Sequence, residues 1–139
     1  MTVELKDLFG PTLKAGRIKP DLGSYHVILV PEGRGTHTLV SNKSFISWLQ
    51  TASPVPLKCS VCCGSLLLGA AGFLQGKTAA TYFNQYEVLA EYGCTVFGEK
   101  IVDDGNLITA GAVSSSMQLG IYLANKWCGP EAEKPSGNG

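Results

Sequence analysis

The stretch LKCSVCCGSLLLGAAGFL, residues 57–74, joins a short β-type segment to an apolar helical segment through a glycine. LKCSVC predicts a buried strand, Gly64 a tight turn, and Ser65–Leu74 a helix that ends at Gly76. A strand, a glycine turn and a helix make one βα unit of an α/β fold. Three of the chain's five cysteines lie inside this unit: Cys59, Cys62 and Cys63.

A second βα unit is predicted just before it. Tyr25–Pro31, YHVILVP, is apolar at nearly every position, which is typical of a buried parallel strand. The glycine-containing loop PEGRGTH follows, and Ser41 is expected to cap the next helix. The apolar residues of that helix keep helical spacing; they are Phe45, Ile46, Trp48 and Leu49.

The later part of the chain continues the alternation. Thr78–Phe83 is predicted as a third strand, and Asn84 and Glu87 have capping-box spacing at the start of a helix. Asp104 and Gly105 stand between two β-type runs, which predicts a hairpin. The last helix is expected to begin at the serine cluster Ser114–Ser116, whose hydroxyls would cap it.

This order of elements predicts an α/β sandwich built on a largely parallel sheet. With 139 residues we expect one domain over residues 1–129 and a disordered tail over residues 130–139. Sites in such sheets collect at the carboxyl ends of the strands. The loop Glu32–Thr36 and the turn Cys62–Gly64 are therefore expected to lie side by side.

Composition argues against several classes of partner. Eleven basic and eleven acidic residues give a formal net charge of +0, without the basic surface that nucleic acid binding requires. No apolar run reaches the length of a membrane span, and the N-terminal sequence MTVELKDLFG has no leader-like pattern. An odd count of five cysteines is not the framework of a secreted domain, so we expect a cytoplasmic protein with free thiols.

The cysteine pattern leaves two interpretations open. A structural zinc site needs about four ligands, and the chain has no second cysteine pair, so no metal site is predicted. Cys62 stands between a strand and a helix, where helix amides and the helix dipole would favour its thiolate. Cys62 is therefore a candidate nucleophile. The alternative is that Cys59, Cys62 and Cys63 are small buried apolar residues, which free cysteine often is.

Three segments together resemble a known family: SVCCGSLLLGAAGFLQGKTAAT, LAEYG and IVDDGNLITAGAVSSSMQLGIYL. They are similar to the PfpI-like superfamily of class I amidotransferase-like proteins, which includes the Parkinsonism-associated deglycase. Within it the greatest likeness is to isocyanide hydratases and to the ligand domains of AraC-type regulators. The resemblance covers roughly Asp21–Trp127. It implies a flavodoxin-like fold, usually as a homodimer.

The resemblance also implies roles for particular residues. Cys62, directly after Ser-Val, matches the family's reactive cysteine, and the backbone amides of Gly33 and Cys63 match its oxyanion-type donors. For the hydratases it implies attack of the thiolate on the isocyanide carbon, a thioimidate intermediate, and hydration to an N-substituted formamide without a cofactor. The expected partner is a small-molecule substrate or ligand.

The chain departs from the family pattern at four places. Glu32 replaces the first glycine of a Pro-Gly-Gly motif and is a candidate acid or base; its alternative is a solvated loop acid. Cys63 stands where the hydratases usually have threonine, and Tyr82 stands where other members often have histidine. Relatives also begin with a strand and a helix that carry an acidic residue, so this member is expected to be shortened at the N-terminus. Another chain could supply that strand, the N-terminal segment could replace it, or the fold could be rearranged.

Two functions besides catalysis therefore stay open. One is a non-catalytic ligand-sensing or interaction module of the same fold. The other is a redox-sensing thiol, because Cys59 and Cys63 stand close enough in sequence to resolve an oxidised Cys62. Ser114 is a further candidate for the pocket lining, beside its expected role as a helix cap.

Overall fold

The computed structural model describes residues 3–6, 12–16 and 19–129. Its strands are β1 (Val3–Lys6), β2 (Thr12–Ala15), β3 (Val27–Val30), β4 (Leu57–Val61), β5 (Thr78–Ala79), β6 (Thr95–Val96), β7 (Ile101–Asp103) and β8 (Leu107–Ala110). Its α-helices are α1 (Thr36–Leu39), α2 (Lys43–Leu49), α3 (Gly64–Ala70), α4 (Tyr86–Ala90) and α5 (Ser116–Cys128). Short 3-10 turns lie at Leu22–Ser24, Gln50–Ala52, Phe83–Gln85 and Val113–Ser115.

The main sheet has four strands in the order β3-β4-β8-β7. β4 pairs in parallel with β3 on one side and with β8 on the other, and β7 pairs with β8 in antiparallel fashion. Every residue of β4 is buried, and so is nearly all of α3. The sequence-based prediction of an α/β fold on a largely parallel sheet is therefore confirmed, and β4 with α3 forms its centre.

The strand predicted at Thr78–Phe83 is much shorter than expected. β5 contains only two residues and pairs with β6 in a separate two-stranded parallel sheet. The Ala80 amide donates a hydrogen bond of 2.7 Å to the side-chain oxygen of Thr109 in β8, so the chain leaves the strand at this point. At Ala80 the backbone amide thus bonds to a side chain instead of to the backbone of a neighbouring strand, as a longer strand would require.

The helix caps also differ from the prediction. Asn42, not Ser41, caps α2, and its side-chain oxygen accepts a hydrogen bond of 3.0 Å from the Phe45 amide. Asn84 lies in a 3-10 turn and does not cap α4, which begins only at Tyr86. α5 begins at the serine cluster, as predicted, but without a capping hydrogen bond from a serine side chain. The Ser116 hydroxyl instead donates to the carbonyl of Val113 at 2.6 Å.

The N-terminal strands do not join the main sheet. β1 and β2 pair with each other as an antiparallel two-stranded sheet, an element that the sequence analysis did not predict. Within the described residues, the N-terminal segment therefore does not replace the missing strand of the main sheet. The predicted tail at residues 130–139 lies outside the described residues.

The outer edge of β3 is open along the part of the chain that the structure describes. Leu29 at this edge is 54% exposed, although it belongs to the parallel sheet. An apolar groove of about 610 Å³ runs beside the strand, and its lining includes Leu22, Tyr25, Phe45 and Trp48. No helix among the described residues has the length and apolar character needed to cross a membrane.

Candidate functional site

The backbone makes a sharp bend at Cys62, directly after β4. Cys62 has φ +55, a left-handed conformation that residues other than glycine seldom adopt. Three hydrogen bonds hold the bend: the Cys62 amide donates to the Ala110 carbonyl at 2.8 Å, and the Cys62 carbonyl accepts from Ser65 and Thr81 hydroxyls, each at 3.2 Å. The neighbouring elements thus impose an uncommon conformation on a residue with a reactive side chain.

Gly64 allows this bend to lie against the end of β3. A Cβ atom placed on Gly64 would lie 2.2 Å from the carbonyl oxygen of Val30 and 3.0 Å from that of Pro31. Only a residue without a side chain fits at such a close approach between two stretches of backbone. The expectation that the loop after β3 lies beside the turn after β4 is therefore confirmed.

The close approach brings together three side chains that can take part in chemistry, one carboxylate and two thiols. A carboxylate oxygen of Glu32 and the Sγ atoms of Cys62 and Cys63 all lie within 4.8 Å of one another. The two sulfur atoms are 4.0 Å apart. Both cysteines are 5% exposed, whereas Glu32 is exposed at the surface. The cluster is therefore buried on the thiol side and open to solvent on the carboxylate side.

Most of the buried thiols are held in the neutral form. Burial, with smaller contributions from Cys62 and Glu32, raises the pKa of Cys63 to about 12. Burial and then the charge of Asp103 raise the pKa of Cys59 to about 11. Burial also raises the pKa of Cys94. At neutral pH these three residues are thiols, which are poor nucleophiles.

The two predicted backbone donors differ in their present contacts. The Gly33 amide donates a hydrogen bond of 3.2 Å to the side-chain oxygen of Thr36, which is buried. The Cys63 amide has no acceptor among residues 19–129. Gly33 is therefore beside the cluster with its donor already engaged, and Cys63 is the donor that is free.

Neither Tyr82 nor Ser114 lines the cavity that contains Glu32. Tyr82 lines a cavity of about 190 Å³ together with Thr81 and Ser115. Glu32 lines a different cavity of about 240 Å³, to which Ser116 belongs. Ser114 is exposed and lines neither cavity. The structure thus places Glu32, Cys62 and Cys63 together, with Gly33 next to Glu32 in the chain, and places Tyr82 in a different cavity.

Comparison with known proteins agrees with the fold described above. We call the bend at Cys62 between β4 and α3 the elbow. The model of the DJ-1/PfpI family matches residues 8–126. The chain belongs to the DJ-1/PfpI family. The resemblance drawn from the sequence is therefore confirmed at the level of the family.

Relatives within the DJ-1/PfpI family cover most of the chain. It is 34% identical to the isonitrile hydratase of Pseudomonas putida over 89% of this chain and 58% of that protein. It is 23% identical to protein DJ-1alpha of Drosophila melanogaster over 81% of this chain and 52% of that protein. The chain therefore spans between half and three-fifths of the length of these relatives.

Solved structures of the DJ-1/PfpI family have the same fold. A THiJ/PfpI family protein from Pseudomonas syringae superposes with a TM-score of 0.81 at 25% identity, covering 89% of this chain and 52% of that one. Schizosaccharomyces pombe DJ-1 superposes with a TM-score of 0.75 at 19% identity, covering 94% of this chain and 73% of that one. The flavodoxin-like α/β assignment for this DJ-1/PfpI member is confirmed.

Sequence reasoning did not assign the polar residues that hold the DJ-1/PfpI elbow in place. Ser65 and Thr81 both donate to the Cys62 carbonyl, and Thr36 accepts from the Gly33 amide. All three side chains are buried. Their only signal in the sequence is a small hydroxyl residue near the end of a strand or the start of a helix, which is too common to identify a site.

Proposed function

We propose that this chain is a cysteine-dependent enzyme that hydrates small isocyanides to N-substituted formamides, with Cys62 as nucleophile. The observation that carries the proposal is the left-handed bend at Cys62, with a Glu32 carboxylate oxygen within 4.8 Å of its sulfur. The 34% identity to an isonitrile hydratase supports the substrate class. Five free cysteines favour the reducing cytoplasm as the compartment.

The first half of the proposed reaction forms a thioimidate. Glu32 takes the thiol proton of Cys62, and the thiolate sulfur bonds to the terminal carbon of the isocyanide. Negative charge develops on that carbon, which then receives the proton from Glu32. The product is R–N=CH–S joined to Cys62, with Glu32 again a carboxylate.

The second half adds water and releases the enzyme. Glu32 accepts a proton from water as the water oxygen bonds to the thioimidate carbon, and Glu32 then gives that proton to the nitrogen. The carbon–sulfur bond breaks as the hydroxyl of the tetrahedral adduct loses its proton, which passes to the thiolate of Cys62, and the formamide R–NH–CHO leaves. The sum is one isocyanide plus one water, and no oxidant, reductant or cofactor takes part.

The proposal assigns stabilisation of developing charge to the backbone amides of Cys63 and Gly33. The Cys63 amide follows the nucleophile directly and has no competing acceptor among the described residues from 19 onward. The Gly33 amide can contribute only when a bound substrate displaces its contact with Thr36. Donors aimed at charge that exists only in the transition state lower the barrier without tightening substrate binding.

We propose in addition that the partner at the open edge of β3 is a second copy of this chain. Exposed apolar side chains flank that edge and continue onto α5: Leu29, Val113, Met117 and Ile121. A two-fold axis beside β3 would pair Val27–Val30 with itself in antiparallel fashion and would cover this apolar surface.

Formation of the formamide from a small alkyl isocyanide tests the proposed reaction. We expect the chain to catalyse it, Cys62→Ser to abolish it, and Glu32→Gln to lower kcat by about 10²–10⁴-fold, because the proton transfers lose their carrier. Cys128→Ser removes an exposed thiol outside the cluster and is the matched control with unchanged rate. Turnover that survives Cys62→Ser would contradict the proposal. No turnover by the parent, with isocyanide binding unaffected by Cys62→Ser, would instead favour a ligand-sensing module.

A further inference from the structure

The elbow cluster also has the donor set of a metal site. Cys62 and Cys63 are adjacent in the turn between β4 and α3, whereas Glu32 comes from the loop after β3. The lack of a second cysteine pair in the sequence argues against a four-ligand zinc site and does not address two thiols combined with a carboxylate. The tertiary structure brings two thiol sulfurs and one carboxylate oxygen within 4.8 Å of one another.

The separation of the two sulfurs fits a shared metal ion. The Sγ atoms of Cys62 and Cys63 are 4.0 Å apart. With bonds of about 2.3 Å, the zinc–thiolate length, this separation corresponds to a sulfur–metal–sulfur angle of about 120°, and a larger ion would give a smaller angle. That is the angle of trigonal coordination, so neither cysteine has to move along the backbone to bind one ion.

Glu32 can complete the coordination by a side-chain rotation. A trigonal site with a metal–oxygen bond of about 2.1 Å needs a sulfur–oxygen separation of about 3.8 Å. The carboxylate oxygen lies within 4.8 Å of both sulfurs, so a shift of about 1 Å is enough. Glu32 is exposed and lines the cavity of about 240 Å³ beside α5, which leaves its side chain free to turn and gives an ion a route from solvent.

The chemistry of the donors selects the class of ion. Thiolates favour soft cations over hard ones such as Mg²⁺ and Ca²⁺. Among the described residues from 19 to 129, no lysine, arginine or histidine forms an ion pair with Glu32 that a metal ion would have to displace.

From this geometry we propose that Cys62, Cys63 and Glu32 form a three-coordinate site for a soft d¹⁰ cation such as Cd²⁺ or Cu⁺. Binding replaces the thiol protons with the metal, so two protons leave for each ion bound. Because Cys62 is also the proposed nucleophile, the bound ion and catalysis exclude each other. That consequence rests on the proposed function, whereas metal binding does not.

Titration of the reduced Cys128→Ser protein with Cd²⁺ tests the proposal, because the exposed thiol can no longer bind metal between two molecules. We expect one Cd²⁺ per chain by native mass spectrometry and a sulfur-to-cadmium charge-transfer band in the ultraviolet. Cys62→Ser and Cys63→Ser should each weaken binding by at least about tenfold, and Glu32→Gln by about tenfold, since even outer-shell changes cost that much. Cys94→Ser removes a buried thiol outside the cluster and should leave affinity unchanged.

The absence of a one-to-one complex would overturn the proposal, and so would undiminished affinity in both Cys62→Ser and Cys63→Ser. Protection of the thiols from alkylation tests metal binding without a substitution at the site. Cd²⁺ should slow iodoacetamide labelling of Cys62 and Cys63, mapped by peptide mass, and equal labelling with and without Cd²⁺ would also overturn it. None of these measurements uses an isocyanide, so metal binding and the proposed hydration can fail independently.

Discussion

At the scale of single residues, Gly64 is the position where the site depends most on the absence of a side chain. A Cβ atom there would lie 2.2 Å from the Val30 carbonyl oxygen, which is backbone and cannot turn aside. Hydrogen bonds to Ala110, Ser65 and Thr81 hold the bend at Cys62, and the close approach at Gly64 places this bend against the end of β3. The cluster of Glu32 with the two cysteines therefore depends on Gly64.

Gly64→Ala is expected to destabilise the protein by about 3 kcal/mol, because the backbone of β3 must move away from the elbow. Gly120→Ala is the matched control, since nothing lies within 4 Å of the Cβ that it would add. Gly120 lies inside α5, so this change should raise the free energy of unfolding by about 0.5–1 kcal/mol. Urea unfolding measures both. Equal effects of the two substitutions would contradict the close approach.

At the scale of elements, one carboxylate fastens α5 to the hairpin of β7 and β8. Asp103 at the end of β7 accepts hydrogen bonds from the Tyr122 hydroxyl and from Lys126, the latter at 3.3 Å. It also accepts from the Gly105 amide in the hairpin turn at 2.8 Å. Partial burial would raise the pKa of Asp103, but these hydrogen bonds outweigh it, and the pKa lies below the usual 3.8.

The depressed pKa sets the sign of a pH dependence. The carboxylate of Asp103 stabilises the folded state above the unfolded pKa of about 4, and this contribution is lost as the pH falls through the lower folded pKa. We expect Asp103→Asn to lower the free energy of unfolding by about 1 kcal/mol at pH 7. Its difference from the parent should shrink below about pH 4. Urea unfolding at pH 7 and pH 3 measures this difference. Tyr122→Phe removes only one hydrogen bond to the carboxylate and should give a smaller effect in the same direction. A constant difference at both pH values would contradict it.

At the scale of the whole molecule, the outer edge of β3 has no strand partner among the described residues. Parallel sheets are normally covered on both faces, and an unpaired edge with an exposed leucine favours association with another chain. Leu29 reaches both the groove of about 610 Å³ and the smaller cavity that contains Glu32. Assembly at this edge would therefore also enclose the candidate site.

Leu29→Lys is expected to convert a dimer into a monomer, because a charge at the strand edge blocks pairing with a second copy. Light scattering after size-exclusion chromatography gives the mass of each form. Phe83→Lys, which changes an exposed apolar residue at 66% exposure away from β3, is the control and should stay dimeric. A parent protein that is monomeric at every concentration, or a dimer that Leu29→Lys leaves intact, would contradict assembly through this edge.

The sequence by itself determined the local elements whose signals are short-range. The buried strand at Leu57–Val61, the turn before α3 and the hairpin at Asp104–Gly105 follow from hydrophobic periodicity and from residues with special backbone freedom. The sequence also predicted that the loop after β3 lies beside the turn after β4, because both follow parallel strands. Only the tertiary structure decided which atoms come into contact. Ala80 bonds to a side chain of β8 and so ends β5 early, and Glu32 reaches the two cysteines from another loop. These contacts depend on how whole elements pack against one another, and the separation of two residues in the sequence does not give the distance between their atoms.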